Sequence, residues 1–139
     1  MHEITELLRQ NAPLIWSWRW IVWASAAYLI MLGALIFVRP ALVHRFFDGF
    51  VGSQALNALE AAVRLIVGLA FIGVSPDAPL PIAFSCFGAV LIATSIPMFF
   101  LYQFHKRQAQ WAVPFAKRIL PVMGLFAIGM GAAIIWALR

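Results

Sequence analysis

A carboxylate and a guanidinium lie inside an otherwise apolar stretch of the chain, LNALEAAVRLIVGLAFIGV, where their types and spacing suit ion pairing or ligand binding. Glu60 and Arg64 are four residues apart with the acid first, the better order for an ion pair on one helix face. Asn57, Gln54 and Gly68 extend the same stripe. Because an ionisable group inside a membrane span costs several kcal/mol, it is by default a candidate functional site.

Three interpretations of the Glu60–Arg64 pair stay open. The pair is structural if Arg64 extends to the lipid headgroups while Glu60 neutralises its charge. It is a binding site if it receives a polar headgroup, a quinone or a partner subunit, with Asn57 beside it. It belongs to a proton or ion path if it lines a route through the membrane.

Two histidines follow the first and third hydrophobic segments, each directly before a basic residue. His44 and His105 are therefore expected at similar depth, where two imidazoles can ligate a metal or a haem. No Cys-x-x-Cys-His or His-Glu-x-x-His pattern accompanies them, so we expect polar caps at the membrane interface rather than ligands. The sequence predicts no bound cofactor, and a quinone or a haem is the group that these polar residues would suit if one were present.

The sequence gives little support for catalysis. Ser85, Thr94 and Ser95 have no partnered histidine and acid for nucleophilic chemistry. Glu60 has no acidic neighbour with which to divide acid and base roles, and no glycine-rich phosphate loop is present. The single cysteine, Cys86, excludes an intrachain disulfide. We therefore favour a role other than an enzyme.

The elements that position these residues follow from the composition of the chain. Hydrophobic residues make up 64% and charged residues 11%, against about 25% charged residues in ordinary globular domains. A membrane-spanning helix needs about 20 mostly apolar residues. Four windows qualify, at residues 20–38, 56–74, 82–102 and 119–138. The sequence predicts an all-α, polytopic membrane protein with one four-helix domain over residues 1–139.

Amphipathic segments are predicted beside these spans. Residues 1–15 have the pattern of a short surface helix that ends near Asn11 and Pro13. In RPALVHRFFDGFVGSQA, apolar residues recur on one face after Pro40, which predicts a helix lying in the membrane interface. In QFHKRQAQWAVPFAKR the pattern is less complete, and Pro114 is expected to interrupt a continuous helix.

The basic residues predict how the chain is oriented. The loops after the first and third spans carry most of the positive excess, so the positive-inside rule places them in the cytoplasm and both termini outside. Tryptophans, which favour the membrane interface, would then mark the outer side: Trp16, Trp18, Trp20, Trp23 and Trp136. The net charge of +5 sets topology and meets anionic lipid headgroups. We predict no nucleic-acid site.

Small residues predict where the helices pack, because close backbone approach drives helix association in lipid. The third span has Ser85, Ala89 and Ala93 at four-residue spacing. The second and fourth spans contribute Gly68, Gly124, Ala127 and Gly131.

A short internal similarity suggests two tandem helical hairpins. IVGLAFIGV of the second span aligns with VMGLFAIGM of the fourth, matching Gly68 to Gly124 and Gly73 to Gly129. Each segment follows an interfacial stretch that contains a histidine and a basic residue. A duplicated unit of helix, interfacial segment and helix would explain the match.

The stripe AAVRLIVGLAFI resembles small bacterial membrane proteins of the DoxX-like type. The similarity consists of Arg64, three apolar residues and Gly68 before an apolar run. The basic residue expected after such a stripe is absent, since Gly73 precedes VSPDAP. The resemblance implies a four-helix fold in a bacterial inner membrane, and a link in some members to quinone and sulfur redox chemistry.

Three functional hypotheses follow. The first is an accessory or assembly subunit of a larger inner-membrane complex, because the chain has packing residues and interfacial anchors but little mass outside the membrane. The second is a quinone- or lipid-handling redox protein in which Glu60 and Arg64 receive a polar headgroup. The third is a minimal transporter that acts as a homo-oligomer.

Overall fold

The computed structural model describes residues 12–139 and the single positions Glu3, Glu6 and Gln10. Six α-helices and one 3-10 turn, Ser75–Asp77, account for the regular structure of residues 12–139. The helices are α1 (Ala12–Val38), α2 (Pro40–Gly52), α3 (Gln54–Val74), α4 (Pro81–Phe100), α5 (Tyr102–Arg118) and α6 (Leu120–Ala137).

Four of these helices, α1, α3, α4 and α6, are long and apolar enough to cross a membrane. The predicted all-α membrane protein with four spans is therefore confirmed. The shorter helices α2 and α5 follow the first and third spans and contact one another. Pro40 stands in the first turn of α2, where its missing N–H would have no helical partner.

One prediction about prolines is wrong, and another lies at the edge of the described residues. Helix α1 begins at Ala12, while Asn11, where the N-terminal segment is predicted to end, lies outside the described residues. Helix α5 continues through Pro114. Pro114 cannot donate to the carbonyl of Gln110, but both residues are exposed, so water can satisfy that carbonyl.

Some predictions fall on residues that the structure leaves undescribed. In the predicted amphipathic segment 1–15, Glu3, Glu6 and Gln10 are helical and exposed. Most of the other residues of that segment lie outside the described part of the chain. The same holds for the side chains of Trp16, Phe50 and Val51.

The spans are arranged as a row in the order α6, α1, α3, α4. The most extensive contacts are those of α1 with α6 and of α3 with α4, and α1 packs on α3 to join the two pairs. Successive spans run in opposite directions, so the start of α1 and the end of α6 lie on the same side of the row. There, Nη2 of Arg19 donates to the carbonyl oxygen of Leu138 at 3.3 Å. Helices α2 and α5 lie on the opposite side.

Each of the two helix pairs is centred on a glycine–glycine contact. A Cβ on Gly88 would lie 2.5 Å from the carbonyl oxygen of Gly68, across the contact of α4 with α3. A Cβ on Gly33 would lie 2.7 Å from the carbonyl oxygen of Gly124, across the contact of α1 with α6. A Cβ atom does not approach another atom this closely, so both contacts require residues without a Cβ. Gly131 is held equally closely against Ala26.

The predicted packing row of Ser85, Ala89 and Ala93 is not the face that α4 turns to its neighbour. Ala89 and Ala93 are exposed, and Ser85 is only partly buried. The buried face of α4 contains Phe84, Gly88, Ser95 and Met98. Glycine lets two backbones approach more closely than alanine does, so Gly88 determines which face packs. Ala127 of α6 is partly buried.

Two apolar clusters hold the spans together, one at each end of the helices. The larger cluster lies at the end where α1 begins and α6 ends, and it includes Phe71 and Phe84, whose ring centroids are 5.5 Å apart. The smaller one lies at the opposite end and contains Ile36, Val43 and Leu120. Because Val43 belongs to α2, this second cluster attaches the surface helix to the spans.

Replacing Gly88 with alanine should destabilise the protein, because the new methyl group must push α3 and α4 apart. We expect a loss of about 1–3 kcal/mol, the usual cost of overpacking. The control is Gly129→Ala, since a Cβ at Gly129 has no atom within 4 Å. That change should be neutral or stabilising, because alanine favours a helix interior over glycine by up to about 1 kcal/mol. Thermal unfolding of both variants in one detergent measures the difference, and equal midpoints would contradict the assigned contact.

Candidate functional site

The candidate site begins where the third span ends and the chain turns along the membrane. Helix α4 stops at Phe100, and Leu101 (φ −122°, ψ 52°) leaves the helical conformation before α5 starts at Tyr102. The N–H of Leu101 donates to the carbonyl of Pro97 at 2.7 Å, and that of His105 donates to Leu101 at 2.9 Å. The break at Leu101 therefore interrupts the series of backbone hydrogen bonds for a single turn between α4 and α5.

Asn57 supplies the hydrogen bond that the break removes. In a continuous helix the carbonyl of Met98 would accept from the N–H of Tyr102. Here the side-chain Nδ2 of Asn57 donates to that carbonyl at 2.8 Å. Asn57 is 2% exposed, so this bond lies away from water and fixes the end of α4 against α3. The sequence proposed Asn57 as part of a ligand site, whereas its amide is committed to the backbone of α4.

Glu60 and Arg64 form the ion pair that their spacing predicts. Oε1 of Glu60 accepts from Nη2 of Arg64 at 2.7 Å and from Nε at 3.1 Å. The side chains are 28% and 37% exposed, respectively. The pair uses Nε and Nη2 of the guanidinium, so its Nη1 end remains available to another acceptor.

A groove of about 340 Å³ lies between α3 and α5 and brings the pair together with groups from the surface helices. We call it the α3–α5 groove. The polar residues that line it are Asn57, Glu60, Arg64, Tyr102, His105, Lys106 and Gln108. The apolar lining consists of Phe47, Ala109, Ala112, Val113 and Ala116.

The groove exists because the face of α5 that borders it carries small side chains. Ala109, Ala112, Val113 and Ala116 follow the spacing i, i+3, i+4 and i+7, which places them on one side of the helix. The aromatic residues Phe104, Trp111 and Phe115 are on a different side and are exposed. Larger residues in the alanine positions would fill the space between α5 and α3.

A second ion pair ties the far end of α5 to the other surface helix. Nζ of Lys117 lies 2.7 Å from Oδ1 of Asp48 in α2. Asp48 is 61% exposed, and exposed pairs contribute at most about 1 kcal/mol. The pair contributes little energy but keeps the C-terminal end of α5 beside α2. The break at Leu101 and the Asn57 hydrogen bond hold the N-terminal end of α5.

The two histidines are not equivalent in the structure. His105 lines the α3–α5 groove, whereas His44, on α2, is partly buried and is not among the lining residues. Within the described residues, no group of three or more His, Cys, Asp or Glu side chains is placed to hold a metal ion.

The contribution of α5 is what the sequence interpretation missed. It singled out Glu60, Arg64 and Asn57 on one helix, but Lys106 and the alanine face of α5 complete the groove. A signal was present in the sequence: the small residues at i, i+3, i+4 and i+7 form a column that is separate from the aromatic one. The predicted break at Pro114 hides this column, because the spacing from Ala109 to Ala116 marks one helix face only if the helix is continuous.

A larger depression of about 500 Å³ lies on the outside of the α4–α5 junction. Its lining includes Gln54, Phe100, Gln103 and Arg107, and Tyr102 borders both this depression and the groove. Among the described residues that line it, Arg107 is the single charged group. The α3–α5 groove has the better combination for recognition, because several polar groups converge there beside an apolar wall.

No protein-family model, no curated protein and no solved structure matches this chain.

Replacing Asn57 with leucine should destabilise the protein, since it removes the partner of a buried carbonyl. We expect a loss of about 1–3 kcal/mol, the cost of leaving such a group unsatisfied. Gln54→Leu is the control, because Gln54 is exposed in the first turn of the same helix. Chemical unfolding in mixed micelles measures both variants. If Asn57→Leu matches the wild type, the hydrogen bond to Met98 is not what secures the end of α4.

Proposed function

We propose that this chain binds the headgroup of a membrane amphiphile, a lipid or a quinone, in the α3–α5 groove. The observation that carries this proposal is the convergence of Arg64, Lys106 and His105 with an apolar wall at one end of the spans. An amphiphile needs both parts, because its headgroup seeks polar partners and its chain seeks apolar surface.

The size and position of the groove support this proposal. Small-molecule sites generally occupy about 300–1,000 Å³ and combine apolar walls with a few polar groups, and a groove of about 340 Å³ falls within that range. Its polar end lies where α5 turns along the membrane surface, the depth at which lipid headgroups are found. The Glu60–Arg64 pair lies in the part of α3 nearest that surface.

We also propose an orientation and a location for the chain. The loops that carry α2 and α5 would face the cytoplasm, because they hold most of the basic residues. Both termini would then lie on the periplasmic side of a bacterial inner membrane. The bacterial assignment comes from the resemblance to DoxX-like proteins.

A second candidate function is that of an accessory subunit in a larger membrane complex. The row of spans favours it, because α4 and α6 each pack extensively against a single other span. Their remaining faces are available to lipid or to another membrane protein. The two roles are compatible, since the groove and these outer faces are separate surfaces.

Gentle extraction from native membranes, followed by native mass measurement, tests the accessory role. We expect the chain to travel with a larger membrane protein in fixed stoichiometry, because each outer span has faces that the described residues do not cover. Extraction in a harsher detergent is the control, since it should release the chain. A chain that is found alone under the mildest conditions would rule out this second function.

Filling the groove tests the principal proposal. Ala112→Leu should lower the affinity for a bound amphiphile by at least about tenfold, because a lost apolar contact and a steric clash together exceed about 1.4 kcal/mol. Ala41→Leu is the matched control: Ala41 is an exposed alanine on the surface helix α2 and does not line the groove. Native mass spectrometry of the purified chain with added lipids measures binding. Equal binding by both variants would show that the groove is not the site.

A further inference from the structure

We infer that the α3–α5 groove selects a phospholipid with an anionic headgroup, and that Lys106 is the residue that distinguishes it from a zwitterionic lipid or a quinone. This inference rests on the proposed function and specifies the ligand class of the same site. It follows from the way the charges at this end of the protein are paired.

Both acidic residues at the surface-helix end are already committed to cations. Glu60 pairs with Arg64 and Asp48 pairs with Lys117. The basic residues at this end outnumber them: Arg39, Arg45, Arg64, Lys106, Arg107, Lys117 and Arg118. Of the other acids, Asp77 lies in the 3-10 turn after α3, on the side of the spans opposite α2 and α5, and Glu3 and Glu6 precede α1 in the sequence.

Lys106 is the cation of the groove that has no acidic partner among the described residues. It is partly buried and lines the groove beside the neutralised Glu60–Arg64 pair. With histidine counted as neutral, the described lining residues Arg64, Lys106 and Glu60 give a formal charge of +1. A partly desolvated cation next to an apolar wall is stabilised by an anion, and a charge-assisted hydrogen bond to phosphate is the strongest interaction open to it.

The ion pair by itself does not decide this selectivity. Only Oε1 of Glu60 accepts from Arg64, so Oε2 is open to an ammonium group just as Nη1 of Arg64 is open to a phosphate oxygen. Lys106 adds the positive charge that favours the anion. A quinone carbonyl can accept a hydrogen bond, but it carries no charge and would leave Lys106 uncompensated.

The apolar wall identifies the source of the phosphate as a lipid. Ala109, Ala112, Val113 and Ala116 extend from the cationic end along α5, and Phe47 of α2 also lines the groove. A free phosphate would use none of this surface. An acyl chain or the glycerol region of a phospholipid would cover it.

The test measures binding to the full chain, delipidated in neutral detergent. Dioleoyl phosphatidylglycerol is compared with dioleoyl phosphatidylcholine, decylubiquinone and soluble glycerol phosphate. We expect the anionic lipid to bind at least about tenfold more tightly than the other three, as one additional charge-assisted contact implies. Native mass spectrometry gives the affinities, and a thermal shift checks them independently.

Lys106→Gln, with Arg107→Gln as its control, isolates the selecting residue. Both changes remove one positive charge from the same helix, but Arg107 lies outside the groove and lines the depression at the α4–α5 junction. We expect Lys106→Gln to weaken phosphatidylglycerol binding about tenfold and Arg107→Gln to weaken it less than about twofold. Lys106→Arg keeps the charge and should keep most of the affinity, which shows that the fold tolerates substitution at this position.

Each contrary result has a defined meaning. Equal losses in Lys106→Gln and Arg107→Gln would overturn the inference in favour of general surface attraction. Equal affinity for phosphatidylcholine or for the quinone, with Ala112→Leu still lowering the affinity as predicted, would overturn the charge selectivity but leave the proposed function standing. Equal affinity for glycerol phosphate would overturn the lipid as the source. If none of the amphiphiles binds, both the inference and the proposed function fail.

Discussion

A backbone carbonyl in the hydrocarbon region must have a hydrogen-bond partner, and the site depends on how this chain meets that requirement where its third span ends. The chain leaves the helix at Leu101, and Asn57 satisfies the carbonyl of Met98 from the neighbouring span. This bond fixes the end of α4 to α3 at the point where α5 turns along the surface. The groove between those two helices follows from the turn, and so does the meeting of Lys106 with the Glu60–Arg64 pair.

The two halves of the chain share a plan but carry different chemistry. The contacts Gly33–Gly124 and Gly68–Gly88 occupy corresponding places if the first two spans are aligned with the last two. In that alignment Gly68 matches Gly124, so Glu60 and Arg64 correspond to Ala116 and Leu120. The ion pair therefore has no equivalent in the second half. If the two halves arose by duplication, both halves kept the packing glycines and only the first half carries the charged pair.

The spans and the ion pair were predictable because each depends on neighbours in sequence. Helix α3 and the Glu60–Arg64 pair follow from a local apolar run and a four-residue spacing. The row of Ser85, Ala89 and Ala93 failed as a packing prediction because the choice of face depends on Gly88 meeting Gly68 across 20 residues. The groove could not be predicted for a similar reason: its width depends on the break at Leu101, which a distant amide stabilises.

The row of four spans has an energetic consequence. Between 22% and 33% of the residues in the most apolar window of each span are buried, so most contacts between spans follow narrow lines. Within the described part of the chain, the buried residues that all four spans contribute to are confined to the larger apolar cluster. Lipid can replace a neighbouring helix without exposing apolar surface to water. Detaching an edge helix such as α4 would therefore cost only the contacts along its single line with α3 and the turn at Leu101. Each span is therefore held only as firmly as its contacts with the neighbouring span allow.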